Sequence, residues 1–412
     1  MTATPLWSAT PHPGFYINSV AISADGGRIV AGTFFHDYGG IAAEVHGSER
    51  KLAPRMAAGL REPARHVDSA ASADQYGRFG TYVWDREGKP LLAQEFEGWQ
   101  GVYWVAMDGQ GAIVASTGWR SGSPDYAGFI SAVAVDSGAS LLQFALPGRG
   151  NVVSLDPNAR VLLAGADQGY LFARDPNGDF VDTPATLPLS DASDTVLVAA
   201  LSADAGRGLL ASYHGEVLLF DIDDGVPATP VRWQVPGSAY LHFAALSADG
   251  AWAFAGANTG ELYALDVNAL LAGTTRDPSW SAAIPGGATT IYGVACSADG
   301  ARVAAAGNLP SGGGSVSTFA NQHTRGELLW TAATLHSPNS VSFDADGQWL
   351  GLADGHPDGS PGAFYLFDGS TGSLAWSYVT SNMSWPIQVS GDGSTVAAGS
   401  DDGSVYLFAG GV

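Results

Sequence analysis

This sequence predicts an all-β chain folded as a single eight-bladed β-propeller of four-stranded antiparallel blades, and three observations carry that expectation. One phrase returns eight times: a short β-rich run, a polar turn of the Ser-Ala-Asp-Gly kind, and a second β-rich run ending near Ala-Gly. Six of the seven spacings between copies lie between 45 and 50 residues, close to the length of one four-stranded blade. The 412 residues include 55 glycines and 22 prolines at 46% hydrophobic content, which suits many short strands, tight turns and a large buried interior.

The residues opening the turns are Ser23, Asp108, Asp156, Ser202, Ser247, Ser297, Asp344 and Ser390. The residues after Ser390 and those up to Ser23 together number 45, one further period. The repeat is therefore circular. Pro5 to Thr10 ("PLWSAT") resembles the segments that close other units, "VRWQVPG", "PSWSAAIPG", "ELLWTAAT" and "SLAWSYVT". It is expected to serve as the outermost strand of the last blade (384–412 completed by 5–10), closing the ring within one domain spanning 1–412. Within a blade, strands A and B flank the polar turn. Strand C is the apolar run in "GEVLLFDID", "GELYALDV" and "GSVYLFAG", and strand D often carries tryptophan. Trp7, Trp233, Trp280, Trp330 and Trp376 recur at one blade position and read as packing between blades.

"YLFDGSTGSLAWSYVT" (Tyr365 to Thr380) resembles the quinoprotein-type repeat, whose tryptophan follows an Asp-x-x-Thr-Gly turn. The Ser-Ala-Asp-Gly turns are similar to those of WD-repeat and YVTN propellers, and Trp84-Asp85 in "YVWD" resembles the WD dipeptide. The resemblance implies the propeller fold. Quinone-dependent dehydrogenases of that kind carry a vicinal cysteine pair and a calcium-binding carboxylate set. The single cysteine here, Cys296, rules out the pair, so the redox activity does not carry over.

Composition narrows the partners. Forty acids against 18 bases give a net charge of -22, which disfavours nucleic acid and anionic membranes. Cys296 lies in the apolar run "YGVACSADG" and reads as a small buried hydrophobe. Met1 is not followed by a signal-peptide pattern, and no apolar run has the length of a membrane span. The expectation is a soluble cytoplasmic monomer whose partner is a small molecule or a protein, with no cofactor and no metal.

In a propeller the D-to-A and B-to-C loops share one rim, here called the top. Eight of the nine histidines fall there: His12, His36, His46, His66, His214, His242, His336 and His356, with His323 on the other rim. Aligning the eight A strands places Asn18, Tyr103, Asn151, Leu197, His242, Tyr292, Asn339 and Trp385 at one level around the channel mouth. Amides and phenols there would orient a small ligand while aromatics stack on it. His242, with an unperturbed pKa of about 6.5, is the candidate for acid–base work at a solvated mouth. The first spacing, 85 residues, leaves room for an insertion in blade one at about 36–77, with one or two short helices expected from Leu52, Met56, Ala57, Ala58 and Leu60, broken by Pro54 and Pro63. It concentrates Arg50, Lys51, Arg55, Arg61 and Arg65, and reads either as a basic lid whose arginines, with His36, would meet an anionic ligand or equally as a cap salt-bridged to its acidic host. Two alternatives stand beside this reading: a non-catalytic scaffold for protein partners, and a histidine-liganded metalloenzyme. "DGHPDGSPG" (Asp354 to Gly362) spaces its carboxylates like a calcium loop but lacks the rest of one.

Overall fold

The polar turn explains why the phrase repeats. In a computed structural model describing residues 2–11, 14–34, 79–96, 101–120 and 127–411, Ser23 Oγ donates to Asp25 Oδ1 at 2.7 Å. It also accepts the Arg28 N–H at 2.9 Å, while Asp25 accepts the Gly27 N–H at 2.9 Å. Two side chains thus satisfy the backbone donors of a turn that leaves the ladder. The same pattern recurs from Ser202, Ser247, Ser297 and Ser390. Where aspartate opens the turn, its carboxylate takes over the serine's acceptor role, from Ile113, Val161 and Trp349 N–H. The fourth turn residue is left-handed: Gly26 has φ 66°, and Ala205 holds the same conformation at φ 53° where "SADAG" lacks the glycine.

Among the described residues the strands form eight antiparallel units, seven of four strands and one, blade four, with a fifth short strand at Val226–Pro227. Seven sheets contain them, because the first two units share a single pairing, Phe34 with Gly101. The innermost strands are Tyr16–Ile22, Gly101–Met107, Val152–Leu155, Val196–Leu201, Leu241–Leu246, Thr290–Cys296, Pro338–Phe343 and Ser384–Val389. Each touches the next, and the last touches the first. The segment Trp7–Ala9 pairs with Val405–Ala409, so the unit built from the chain's end takes its outer strand from the beginning. The Trp7 indole N–H continues to the Arg86 carbonyl of blade one at 2.9 Å.

The apolar interior lies between blades rather than at the centre. There is one cluster at each of the eight seams, and Ile17, Ile29, Val405 and Leu407 belong to the one that joins blade eight to blade one. With both faces buried, strands read as continuous apolar runs. The Ala-Gly that ends strand B is a matter of space. A Cβ on Gly256 would sit 2.4 Å from Ile291 Cγ2 on blade six, and one on Gly399 would sit 2.3 Å from Ile17 Cγ2 on blade one. The recurrent tryptophans pack across seams as expected: Trp330 Nε1 donates to Gly369 O of blade seven at 2.9 Å, and Trp376 meets Phe408 at 4.9 Å.

Around the bottom, the polar turns are stitched by main-chain hydrogen bonds: Ala24 to Gly109, Gly109 to Pro157, Ala203 to Ala248, Asp249 to Ala298, Ala298 to Ala345, Ala345 to Gly391, and Asp392 back to Ala24. Among the described residues the seam between blades three and four has no such stitch. The Arg160 guanidinium donates to the Asp204 carbonyl there instead. A cleft of about 560 Å³, lined by Asn158, Arg160, Arg174, Asp204 and Gly225 among others, opens at that seam.

The insertion at 36–77 and its expected helices lie outside the described residues. One short α-helix not foreseen in the sequence, Val267–Leu271, is capped by Asp266 and buries Val267 and Leu270 after strand C of blade five. No described helix is long and apolar enough to cross a membrane.

Candidate functional site

The level aligned from sequence is a ring of β-bulges. In the inner strands the pairing slips between Ile17 and Ser19, Val102 and Trp104, Val196 and Val198, Leu241 and Phe243, Ile291 and Gly293, Pro338 and Ser340, and Ser384 and Ile387. The extra residues are Asn18, Tyr103, Leu197, His242, Tyr292, Asn339 and the pair Trp385-Pro386. In blade three, Asn151 stands one residue before the strand, its N–H bonded to Gly165 O at 2.9 Å. A bulge re-aims one side chain out of the strand's alternation.

The asparagines aim at the next blade. Asn18 Nδ2 donates to Tyr103 O at 2.6 Å, Asn151 Nδ2 to Val196 O at 3.0 Å, and Asn339 Nδ2 to Ser384 O at 2.8 Å. Asn18, Tyr103, Asn151, His242, Asn339 and Trp385 are buried, while Leu197 and Tyr292 are half-buried. The solvated mouth expected from sequence is therefore corrected. His242 is 3% exposed, and desolvation lowers its pKa from 6.5 to about 4. It does not titrate near neutrality, because its charged form has no water around it. His36, Arg55, Arg61 and Arg65, like His12, His46 and His66, lie outside the described residues.

The structure joins His242 to a run of rings across the top of blades four to six. Tyr213 stacks on Tyr240 at 4.8 Å and 21°. His214 lies 5.4 Å from Tyr213 and 5.7 Å from Tyr240. Tyr213 meets His242 edge-on at 5.8 Å, and His242 lies 5.4 Å from Tyr292. Main-chain bonds brace the run: Tyr213 N–H to Thr195 O at 2.9 Å, Leu241 N–H to Tyr213 O at 3.1 Å, and Asn258 N–H to Tyr240 O at 3.0 Å.

At its outer end stand two carboxylates. Asp194 Oδ1 lies 3.4 Å from His214 Nδ1 and accepts the Thr195 and His214 N–H groups at 2.8 and 3.1 Å. Asp191 Oδ2 lies 4.0 Å from the same nitrogen. Hydrogen bonds from Ser193 hold the Asp191 carboxyl below its usual range. His214 stands out in the sequence as a top-rim residue. Tyr213, Asp191 and Asp194 do not, and the clue was "YHG" directly following strand B.

Elsewhere the chemistry is structural. Asp354 is fully buried and accepts from His336 N–H, Ala363 N–H and Tyr365 Oη, while Asp358 lies 3.3 Å from His356 Nδ1, so the two carboxylates of "DGHPDGSPG" serve different partners. Burial raises the Cys296 thiol to about 12. Among the described residues no three His, Cys, Asp or Glu side chains are grouped to hold a metal.

Comparison with known proteins adds a local match and a global one. Residues 383–408, the three strands of blade eight nearest the channel, match the model of the WD domain, G-beta repeat. Crystal structures of Sqt1 from Chaetomium thermophilum (15% identity, TM-score 0.66) and Saccharomyces cerevisiae (11%, 0.67) superpose over 99% of both chains. The fold is that of a WD-repeat-like β-propeller. The propeller domain of Cps50 (Swd1) from Myceliophteria thermophila is also similar, at 16% identity and TM-score 0.54, over 74% of this chain and 95% of that one. At these identities the WD-repeat-like ring shares architecture with those proteins. No curated protein matches the sequence.

Proposed function

We propose that this eight-bladed ring is a protein-binding scaffold that presents the top of blades four to six to its partner. The observation that carries this reading is the run His214–Tyr240–Tyr213–His242–Tyr292, continuous across three blades and half-buried at Tyr240. Aromatic groups held rigidly by their neighbours make strong contact points, because little side-chain entropy remains to be lost on binding. The WD-repeat-like fold supports the same reading, since such rings commonly serve as platforms for other proteins. The net charge of -22 favours a protein partner over nucleic acid.

The test is site-specific photo-crosslinking in the native cell, with the photoreactive residue at position 240 or at position 226. Val226 is an exposed residue of the bottom hairpin. A discrete adduct from position 240 and none from position 226 is expected. Equal labelling from both positions, or none from 240, overturns the reading.

A further inference from the structure

We propose that the rim corner formed by Asp191, Asp194, His214 and Tyr240 receives an arginine side chain of the partner protein. The inference rests on the scaffold reading above and names the chemistry of its contact. A guanidinium is recognised by two things together: an aromatic face to lie on and a carboxylate oriented to accept its paired N–H groups. The corner offers both. One face of Tyr240 is fixed against Tyr213, which sets the plane of the ring, and the His214 ring stands beside it.

The carboxylates are set before any ligand arrives. Asp191 Oδ1 accepts from Ser193 N–H at 2.8 Å and Ser193 Oγ at 2.7 Å, yet its side chain is 61% exposed, so it is oriented and still open to a partner. Asp194 is 3% exposed and anchored by the two main-chain donors, adding negative charge from beneath. The nearby Arg232 is already engaged, by the Glu216 carboxylate, Ser190 Oγ and Pro188 O. With net charge -22 on the chain, long-range attraction also favours a basic segment.

The experiment titrates the intact protein with N-acetyl-Gly-Arg-Gly-amide at physiological salt, following Tyr and His ring resonances by NMR. The same peptide with norleucine in place of arginine is run beside it. Saturable shifts confined to the Tyr213, His214 and Tyr240 rings are expected with arginine, and none with norleucine. D191N and Y240A should each weaken binding about fivefold, whereas D221N, which removes the same charge from the far rim, should not. Absence of binding, equal binding of norleucine, or equal weakening by D221N overturns the proposal. If position 240 still crosslinks its partner undiminished in D191N, the scaffold reading stands and the arginine contact falls. If position 240 gives no adduct while the peptide binds as described, the scaffold reading falls alone.

Discussion

Asn18, on the innermost strand of blade one, donates its side-chain amide to the main-chain carbonyl of Tyr103 on blade two across 2.6 Å. Asn151 and Asn339 repeat the gesture toward Val196 and Ser384. These amides tie three of the eight seams, between blades one and two, three and four, and seven and eight, at the level of the bulges. Asn18→Ala and Asn339→Ala should each lower stability by about 1–2 kcal/mol, the cost of leaving a buried carbonyl without its donor. Urea unfolding checks this, and midpoints equal to the parent's would show that the amides bind something other than the ring.

His242 makes stability depend on pH. The unfolded chain takes up a proton near pH 6.5, the folded chain only near pH 4. Between those values the unfolded state binds more protons, so the neutral histidine's contribution is complete above about pH 6.5 and is lost as pH falls toward 4. The full loss is of order 3 kcal/mol. Thermal unfolding from pH 7 to 5 should show a steeper decline for the parent than for His242→Gln, and parallel curves would contradict the burial.

Deleting residues 1–11 removes the outer strand of blade eight, with the pairings of Trp7, Ser8 and Ala9 and the indole bond to Arg86. The deletion should be several kcal/mol less stable, given a lost strand and a lost half-buried tryptophan. A melting temperature within a degree or two of the parent's would mean that the ring does not need this strand.

Gly256→Ala places a methyl 2.4 Å from Ile291 Cγ2 and 2.8 Å from Val294 Cγ2 across the seam. An expected loss of about 1–3 kcal/mol follows from overpacking. Ile291→Ala in the same chain should recover part of it, read as favourable coupling in a double-mutant cycle. Strict additivity would place the strain elsewhere.

Arg160, just before strand B of blade three, and Arg302, at the start of strand B of blade six, each donate to a carbonyl of the following turn. Between their turns the Arg302 seam is also stitched by Ala298 to Ala345, whereas among the described residues the Arg160 seam has the guanidinium and no main-chain stitch there. Arg160→Met should therefore destabilise more than Arg302→Met. Equal melting temperatures would show that the main-chain stitches carry little.

The ring was legible in the sequence because each of its parts has a local cause. Ser23, Asp25 and Gly26 specify a turn within four residues, and Trp7 resembles its counterparts closely enough to be placed 400 residues from its pairing partner Leu407. The mouth was legible only as a level. The side chains of Asn18 and Asn339 fold into the adjoining blade because their acceptors are main-chain carbonyls, and a carbonyl is present at every residue whatever its side chain. His242 looked titratable for the same reason: its desolvation comes from rings such as Tyr213 and Tyr292, remote in sequence. The helix Val267–Leu271 is too short to show a period.

The placement of every apolar cluster at a seam has a kinetic consequence. An open array of such repeats would fray from its ends, since a terminal unit is held by one neighbour only. A closed circle has no terminal unit. Any blade that leaves must break two interfaces in the same event, so partial opening gains little and the barrier to losing the first blade is roughly doubled. The lifetime of this ring should thus exceed what its equilibrium stability alone implies, and an agent that severs the chain without opening a seam should leave the circle standing.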